Sequence, residues 1–389
     1  MIKQREKHID NANQGGFLPT AEQQLLITIV LGNQDEAVQA WNTWKASVDF
    51  NMIDHGSRRL IPLVYKKLRI LGVEDKLTGK CRGIYRAYWY RNNLLIHQAV
   101  AIIRKLTDAG IPVMLHKGIA LCSSYYKEIG LRPLNDVDLL VRTDDVLRAA
   151  QIISDLGFQS VPPRFKEIHE GLLYIKHSRN FVDQKGMDID LNWHALKECC
   201  SPHDDDDFWR DSVPSELDGM QLRILNPADL FLTILIHGLK WDPVPPFRWI
   251  IDANTILEHH KNNFDWNRIL MQVEKLRLCL RLKNAVRVLR DTARVEIPDD
   301  VARRIDRLPV AQFERAEYKY MSEPQNFKLL PYTAPLWYNA YRLKKTSNPF
   351  LILRRFIHDA FVTWNWKWDV IPVLTFEKCI KFVRIIQNL

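Results

Sequence analysis

No segment of this chain approaches eighteen uninterrupted apolar residues, which excludes a transmembrane helix. The opening Met1-Ile2-Lys3-Gln4-Arg5-Glu6-Lys7-His8 carries charge but neither the apolar core nor the small-residue cleavage site of a secretory leader, so a cytoplasmic location is expected. Cysteine is sparse. Cys81, Cys122, Cys199, Cys200, Cys279 and Cys379 form no CxxC pair and no Cys/His spacing suited to zinc, and a chain of 389 residues needs no disulfide staples. Reduced thiols are expected. There is no internal repeat, and the one low-complexity feature, Asp204–Asp207 after His203, reads as a hydrated loop rather than a metal site.

What is present is an ordinary globular composition, 47% hydrophobic and 26% charged, in a chain longer than one compact core usually needs. A catalytic core with helical additions is the expectation. The net charge of +9 is unevenly spread: Lys261 onward holds 24 basic and 13 acidic side chains, the first 260 residues 31 and 33. A basic last third suits a polyanionic partner such as a triphosphate, nucleic acid, an acidic peptide or an anionic membrane surface, or else the solvated faces of amphipathic helices.

Thr20 and Gln23 form a capping-box signature before Leu25-Leu26-Ile27. Helical periodicity then runs through Ala37–Trp44, Arg59–Leu71 and Gly83–Leu106, with Gly72 and Gly79 as expected interruptions. Past Gly110-Ile111-Pro112 the pattern changes. Val113–His116 reads as a short buried strand leading through Lys117-Gly118 into a helix, and Asp136–Val141 as a second strand. Thr143 caps a helix that Gly157 stops. Leu172–Val182 and Met187–Trp193 flank Asp183-Gln184-Lys185-Gly186 as a hairpin, and Asn226-Pro227 restarts helix. Breaks are expected at Trp241–Pro246, Pro298, Pro309 and Pro324–Pro335. The fold class is α+β: a small mixed-sheet core (106–215) between an N-terminal helical cap (1–105) and a helical, basic C-terminal region (216–389).

Asp136 and Asp138 stand two apart on a strand, so both carboxylates leave one face. Brought within about 4 Å they would repel by roughly 4 kcal/mol at an effective dielectric of 20, which favours a cation between them. Mg²⁺ or Mn²⁺ suits such a pair, since these ions take oxygen ligands and bind one or two carboxylates plus substrate phosphates. Upstream, the glycine of Lys117-Gly118 would let backbone approach a phosphate at a helix N-terminus. Downstream, Asp188 or Asp190 could bring a third carboxylate. Arg132 has the fork for a phosphate or a surface ion pair, and His237 lies in an otherwise apolar helix as a core histidine or a nucleotide contact. Trp364, Trp366 and Trp368 alternate beside Lys367 as packing or as a stacking surface.

In His116-Lys117-Gly118-Ile119-Ala120-Leu121, in Arg132-Pro133-Leu134-Asn135-Asp136-Val137-Asp138-Leu139-Leu140-Val141 and in Asp190-Leu191-Asn192-Trp193, the chain resembles nucleotidyltransferases of the DNA polymerase beta-like superfamily. Weaker likeness touches Leu60–Tyr65, His237-Gly238 and Asp252. The resemblance implies a minimal nucleotidyltransferase core with Asp136 and Asp138 on metal, Asp190 as third carboxylate helping to orient the acceptor hydroxyl, and Lys117-Gly118 near the triphosphate. It implies transfer of a nucleoside monophosphate, AMP as first choice, from a nucleoside triphosphate to a small-molecule, peptide or protein acceptor. Two departures stand out: Lys117-Gly118 replaces the superfamily's Gly-Ser, and Asn192 replaces its histidine. The competing expectation is a nucleotide- or polyanion-binding module without chemistry, with nucleic acid as a partner of the basic last third.

Overall fold

The computed structural model describes residues 16, 18–161, 168–198, 200, 201, 203–323, 338, 340, 342 and 348–364. Capping chemistry sets the first elements. Thr20 and Gln23 close a capping box on α1 (Ala21–Leu31), and Asn33 and Glu36 close another on α2 (Gln34–Ser47). After the short α3 (His55–Arg58) and α4 (Ile61–Ile70), Gly72 turns the chain with φ 68°. Asp75 and Thr78 then cap α5, which runs from Lys76 to Asp108 through 33 residues and spans about 50 Å. Gly79 does not interrupt it, contrary to the sequence expectation. A helical glycine costs only about 0.5–1 kcal/mol, and burial of Ile84, Leu95, Ile96, Ala99 and Ile103 along one stripe outweighs that.

The sheet begins at β1 (Val113–Leu115). There follow α6 (Lys117–Ser124), β2 (Val137–Val141), a 3-10 turn at Thr143–Asp145, α7 (Val146–Asp155), β3 (Gln159–Val161), α8 (Glu170–Leu173), β4 (Ser178–Val182), β5 (Asp188–Asn192), α9 (Asp206–Arg210), β6 (Val213–Leu217) and β7 (Met220–Ile224). The strand order is β3-β4-β5-β2-β1-β7-β6. β2 pairs antiparallel with β1 and parallel with β5, and β1 pairs parallel with β7. This mixed sheet with flanking helices is the expected α+β class. β2 and β1, central and fully buried, read as apolar runs for that reason. α5 packs on β1, β2 and α7, while α6 packs on β2 and β6.

The sheet extends to Ile224, beyond the boundary at 215 that the sequence suggested. The β6–β7 hairpin escaped notice although Asp218-Gly219 is a strong two-residue turn signal; both residues take positive φ, 49° and 76°. Asp204–Asp207 is also not a plain hydrated loop. It leads into α9, where Asp207 pairs with Arg210 and with Lys275.

The remaining helices are α10 (Pro227–Gly238), α11 (Arg248–His259), α12 (Trp266–Lys275), α13 (Cys279–Ala293), α14 (Asp299–Arg307), α15 (Gln312–Met321) and α16 (Pro349–Trp364). α10 starts as expected, with Asn226 accepting from the Asp229 N–H and Pro227 at its first position. It is the hub of this region, packing on α11, α12 and α13. Four of the basic side chains of this region hold its helices to one another and to the rest. Arg268 binds Asp211 and Asp229, Lys275 binds Asp207, Arg281 binds Glu198, and Arg294 binds Glu36. Cys81, Cys122, Cys200 and Cys279 are buried and free. Trp366, Trp368 and Pro324–Pro335 lie outside the described residues, as do Cys199 and Cys379.

α10 and α11 meet at Gly238, where a β-carbon would stand 2.2 Å from the Trp249 ring. Gly238→Ala is therefore expected to lower stability by about 1–3 kcal/mol through overpacking, measured by chemical denaturation. An unchanged midpoint would show that Trp249 has room to move.

Candidate active site

Strand register decides which carboxylates meet. β2 and β5 lie parallel with Asp138 directly opposite Asp190, so both side chains rise from the same face at the same height. Lys117, two residues past the end of β1, opens α6 at φ 45°, a left-handed conformation that costs an L-residue about 1–2 kcal/mol. Its ammonium donates to Asp138 Oδ1 at 2.7 Å, to Asp190 Oδ2 at 3.2 Å and to Asn192 Oδ1 at 3.2 Å. Asn192, in the position where a histidine was the family expectation, donates to the Asp190 carbonyl at 2.8 Å. The lysine expected near a triphosphate thus lies between the two carboxylates.

One ammonium does not balance this charge. Burial pushes the Asp138 carboxyl up to about 7, against the pull of Lys117 and with the repulsion of Asp136 and Asp190. Burial also acts upward on Asp190, but Lys117 and His177 hold it below the usual range. Exposure agrees with this division: the Asp138 side chain is 5% accessible and that of Asp190 11%. Asp136 stands one residue before β2, half-buried, and has no hydrogen-bond or ion-pair partner among the described residues. Asp188, the competitor for third carboxylate, sits one step back on β5, where Asn180 donates to it at 3.2 Å. Burial raises it, with Asp136 and Asp190 adding to the effect. Asp190, not Asp188, shares a cation with Asp138.

Among the described residues no three His, Cys, Asp or Glu side chains converge as a closed metal cage. In kind and in charge, however, the set suits a hard divalent ion. The donors are carboxylate oxygens, Asp190 Oδ1 is buried without a hydrogen-bond partner, and the cluster holds more negative charge than Lys117 neutralises.

Arg132 makes an ion pair, but a buried one rather than the surface pair that was its alternative. It is buried and forked onto Asp252 of α11, Nε to Oδ1 at 3.1 Å and Nη2 to Oδ2 at 2.9 Å. Tyr126 donates to the same carboxylate at 2.7 Å. Gly118 serves this pair, since a β-carbon there would stand 2.7 Å from Arg132 Nη1. The space beside Gly118 is thus filled by guanidinium, not left open on that side for a phosphate. The first turn of α6 carries no side-chain cap, so its N–H groups are not satisfied in that way.

His237 is not a core histidine. It is exposed while every other residue from Ala228 to Leu239 is buried, and yet protein surrounds it. Burial pushes its ring well below the ordinary value, and Lys117, Lys240, Lys197 and His177 push the same way. Lys197, Lys240 and His177 were missed from the sequence. No motif marks them, for they come from the segment after β5, the end of α10 and the approach to β4. Deeper in, His116 meets the Ala195 carbonyl at 3.0 Å, and burial pushes its ring down to about 3.

These elements all fall within one matched stretch. A family model described as an uncharacterised nucleotidyltransferase matches residues 56–293, from the helices before the sheet through α13, and no curated protein matches the chain. The match covers more than half the sequence and includes β1, β2, β5, Lys117 and the Arg132–Asp252 clamp. By that match the chain belongs to this nucleotidyltransferase family.

Proposed function

We propose that the protein transfers a nucleoside monophosphate from a nucleoside triphosphate, ATP as first choice, to a hydroxyl of a small-molecule, peptide or protein acceptor. The observation that carries this reading is the pairing of Asp138 with Asp190 across β2 and β5, with Lys117 poised on both at the head of α6. The likeness to polymerase beta-like nucleotidyltransferases points the same way. The acceptor oxygen would attack the α-phosphorus as the bond to the bridging oxygen of the β-phosphate breaks, and pyrophosphate would leave.

Asp138 and Asp190, with Asp136, would hold Mg²⁺ or Mn²⁺. When bound, the ion supplies neutralisation of phosphate charge and a template for in-line displacement. Asp190 would orient the acceptor hydroxyl and draw off its proton. Lys117 has two places to go: the carboxylates, where it lies without ligand, or the phosphates. Its left-handed backbone aims the ammonium into the site, strain of a kind that clusters at functional positions. The uncapped first turn of α6 offers N–H groups to an anion. Arg132 would act as a positioning residue, holding the Lys117-Gly118 turn against α11.

A second reading has its own observation. Because Lys117 already neutralises part of the pair, a silent nucleotide-binding module would leave it there permanently. Calorimetric titration with each nucleoside triphosphate, with and without Mg²⁺ or Mn²⁺, separates the two. Metal-dependent binding that disappears in the Asp136→Ala/Asp138→Ala variant is the expected result. Metal-independent binding that survives in the variant favours the silent module, and no binding of any triphosphate sinks the nucleotide reading altogether.

A further inference from the structure

We propose that the outward face of α5 docks on an anionic membrane surface, with Trp89, Tyr90 and Leu94 entering the headgroup layer and Arg82, Arg86 and Arg104 reaching lipid phosphates. Docking of this kind is independent of what the active site does.

The stretch between Asp75 and Asp108 holds seven Lys or Arg and no acid, where the average of the chain would place about four acids. On a helix of 3.6 residues per turn, Arg82, Arg86, Trp89, Tyr90, His97 and Arg104 fall within about 100° around the axis, and the first and last stand about 33 Å apart along it. All six are exposed, and Leu94 adjoins them. Trp89, Tyr90 and Leu94 keep 49%, 65% and 50% of their surface accessible, while Ile84, Leu95, Ala99 and Leu106 on the other side of the helix are buried. Among the described residues, Arg82, Arg86, Arg91, Arg104 and Lys105 have no ion-pair or hydrogen-bond partner for their side chains. Glu128, beside Tyr85, is taken up by Lys66 at 3.1 Å and Arg69 at 3.7 Å, and Asp75 by Lys45 at 3.2 Å. A helix face that is merely solvated gains by setting acids four residues from its bases. Arg82 and Arg86 stand at that spacing and repel, and an external anion relieves the repulsion.

The face is firmly supported. Asn92, buried in α5, donates to the Ile129 and Arg132 carbonyls at 2.6 and 2.8 Å and accepts from the Leu134 N–H at 3.0 Å. A β-carbon on Gly130 would stand 2.8 Å from Trp89 Cβ, so backbone lies hard against the base of that side chain. Leu134 precedes Asp136 by two residues, a span of at most about 7 Å. A docked bilayer would lie beside the chain that carries Asp136 to the sheet.

No described helix is long and apolar enough to cross a membrane, and α5 offers the means of lying on one: aromatic rings suited to the interface and cations suited to anionic headgroups. Nucleic acid fits less well. From Arg91 to Arg104 the helix runs about 20 Å without a Lys or Arg, and half-exposed Leu94 stands in that gap. A strand would carry its phosphates across this stretch unpaired, whereas lipids diffuse laterally and gather where the cations are.

The test is flotation of the full chain with vesicles of phosphatidylcholine, alone or with roughly a third phosphatidylglycerol, for wild type, Arg82→Gln/Arg86→Gln and Tyr90→Ser/Leu94→Ser. All four side chains are exposed, so both variants should fold, and circular dichroism checks that. The basic last third is intact in both, so binding through that region would persist and be recognised. We expect wild type to prefer the anionic vesicles, the arginine variant to bind them about 10- to 30-fold more weakly at about fivefold per cation, and the Tyr90/Leu94 variant about 10-fold more weakly through lost insertion. Wild type without preference for anionic vesicles, or either variant binding them as wild type does, overturns the proposal. A single-stranded oligonucleotide is titrated in parallel: if the arginine variant loses it while keeping the vesicles, the face belongs to nucleic acid and the proposal is equally overturned. Metal-dependent triphosphate binding is untouched by any of these outcomes, so the nucleotide reading is judged separately.

Discussion

Asp138→Asn will lower nucleotidyl transfer by about 10³-fold or more, and it will do so without weakening the fold. Each tenfold loss corresponds to about 1.4 kcal/mol of transition-state stabilisation, and a carboxylate that helps to hold a divalent ion on a transferring phosphoryl group supplies several kcal/mol. Stability should move the other way. Burial raises Asp138 from 3.8 to about 7, so between those values the folded protein keeps a proton that the unfolded chain has lost. A group raised in this sense contributes stability that is complete at pH below about 4 and is lost as pH rises through 7. Asparagine cannot ionise and removes that loss, while Lys117 remains paired with Asp190 at 3.2 Å. Thermal denaturation in chelator at pH 8 should therefore give the variant a melting temperature equal to or above that of wild type, the gap closing near pH 5. Retained transfer would remove Asp138 from the chemistry. Unfolding of the variant would mean that the carboxylate is structural.

The second large effect lies one layer behind the site. Arg132 and Asp252 are both buried, with side chains 6% and 4% accessible, and breaking such a pair leaves an uncompensated charge at a cost of about 3–5 kcal/mol. The two halves are not equivalent. Arg132→Ala leaves Asp252 with the Tyr126 hydroxyl at 2.7 Å and with Arg248 at 3.8 Å. Asp252→Ala leaves the buried Arg132 guanidinium beside the half-buried Arg248 with no carboxylate between them, and burial together with Arg132 already depresses Arg248 to about 10. Asp252→Ala should be the more damaging by urea denaturation, and the double variant should lose less than the sum of the singles. Additive losses would show that the pair is not one unit. Because Gly118 rests on Arg132, transfer should fall in both variants even under conditions where they remain folded.

The fate of the Arg132 reading shows how far local pattern reaches. Arg132-Pro133 in front of an Asp-x-Asp strand marks the residue as important, and its chemistry allows either phosphate or carboxylate. The choice fell to Asp252, 120 positions away on α11, which no local spacing could supply. His237 went the opposite way. A histidine in an apolar helix is usually packed, but His237 is exposed while the rest of its helix from Ala228 onward is buried.

The sequence by itself determined whatever depends on neighbours within a few residues. The capping boxes at Thr20 and Asn33, the Asn226-Pro227 start of α10 and the turn at Gly157 are local hydrogen-bond and steric requirements. The buried runs of β1 and β2 are hydrophobic because both faces are covered. Tertiary structure alone decided which acids meet. Asp188 and Asp190 are equal in spacing and face, and only the parallel register of β2 on β5 sets Asp190 opposite Asp138. It also sent the Lys117 ammonium onto that pair and Arg268, Lys275 and Arg281 of the last third into ion pairs with Asp211, Asp207 and Glu198. Register and long-range charge pairing depend on how distant segments pack, and Coulomb attraction within a few ångströms then selects partners that the linear chain keeps far apart.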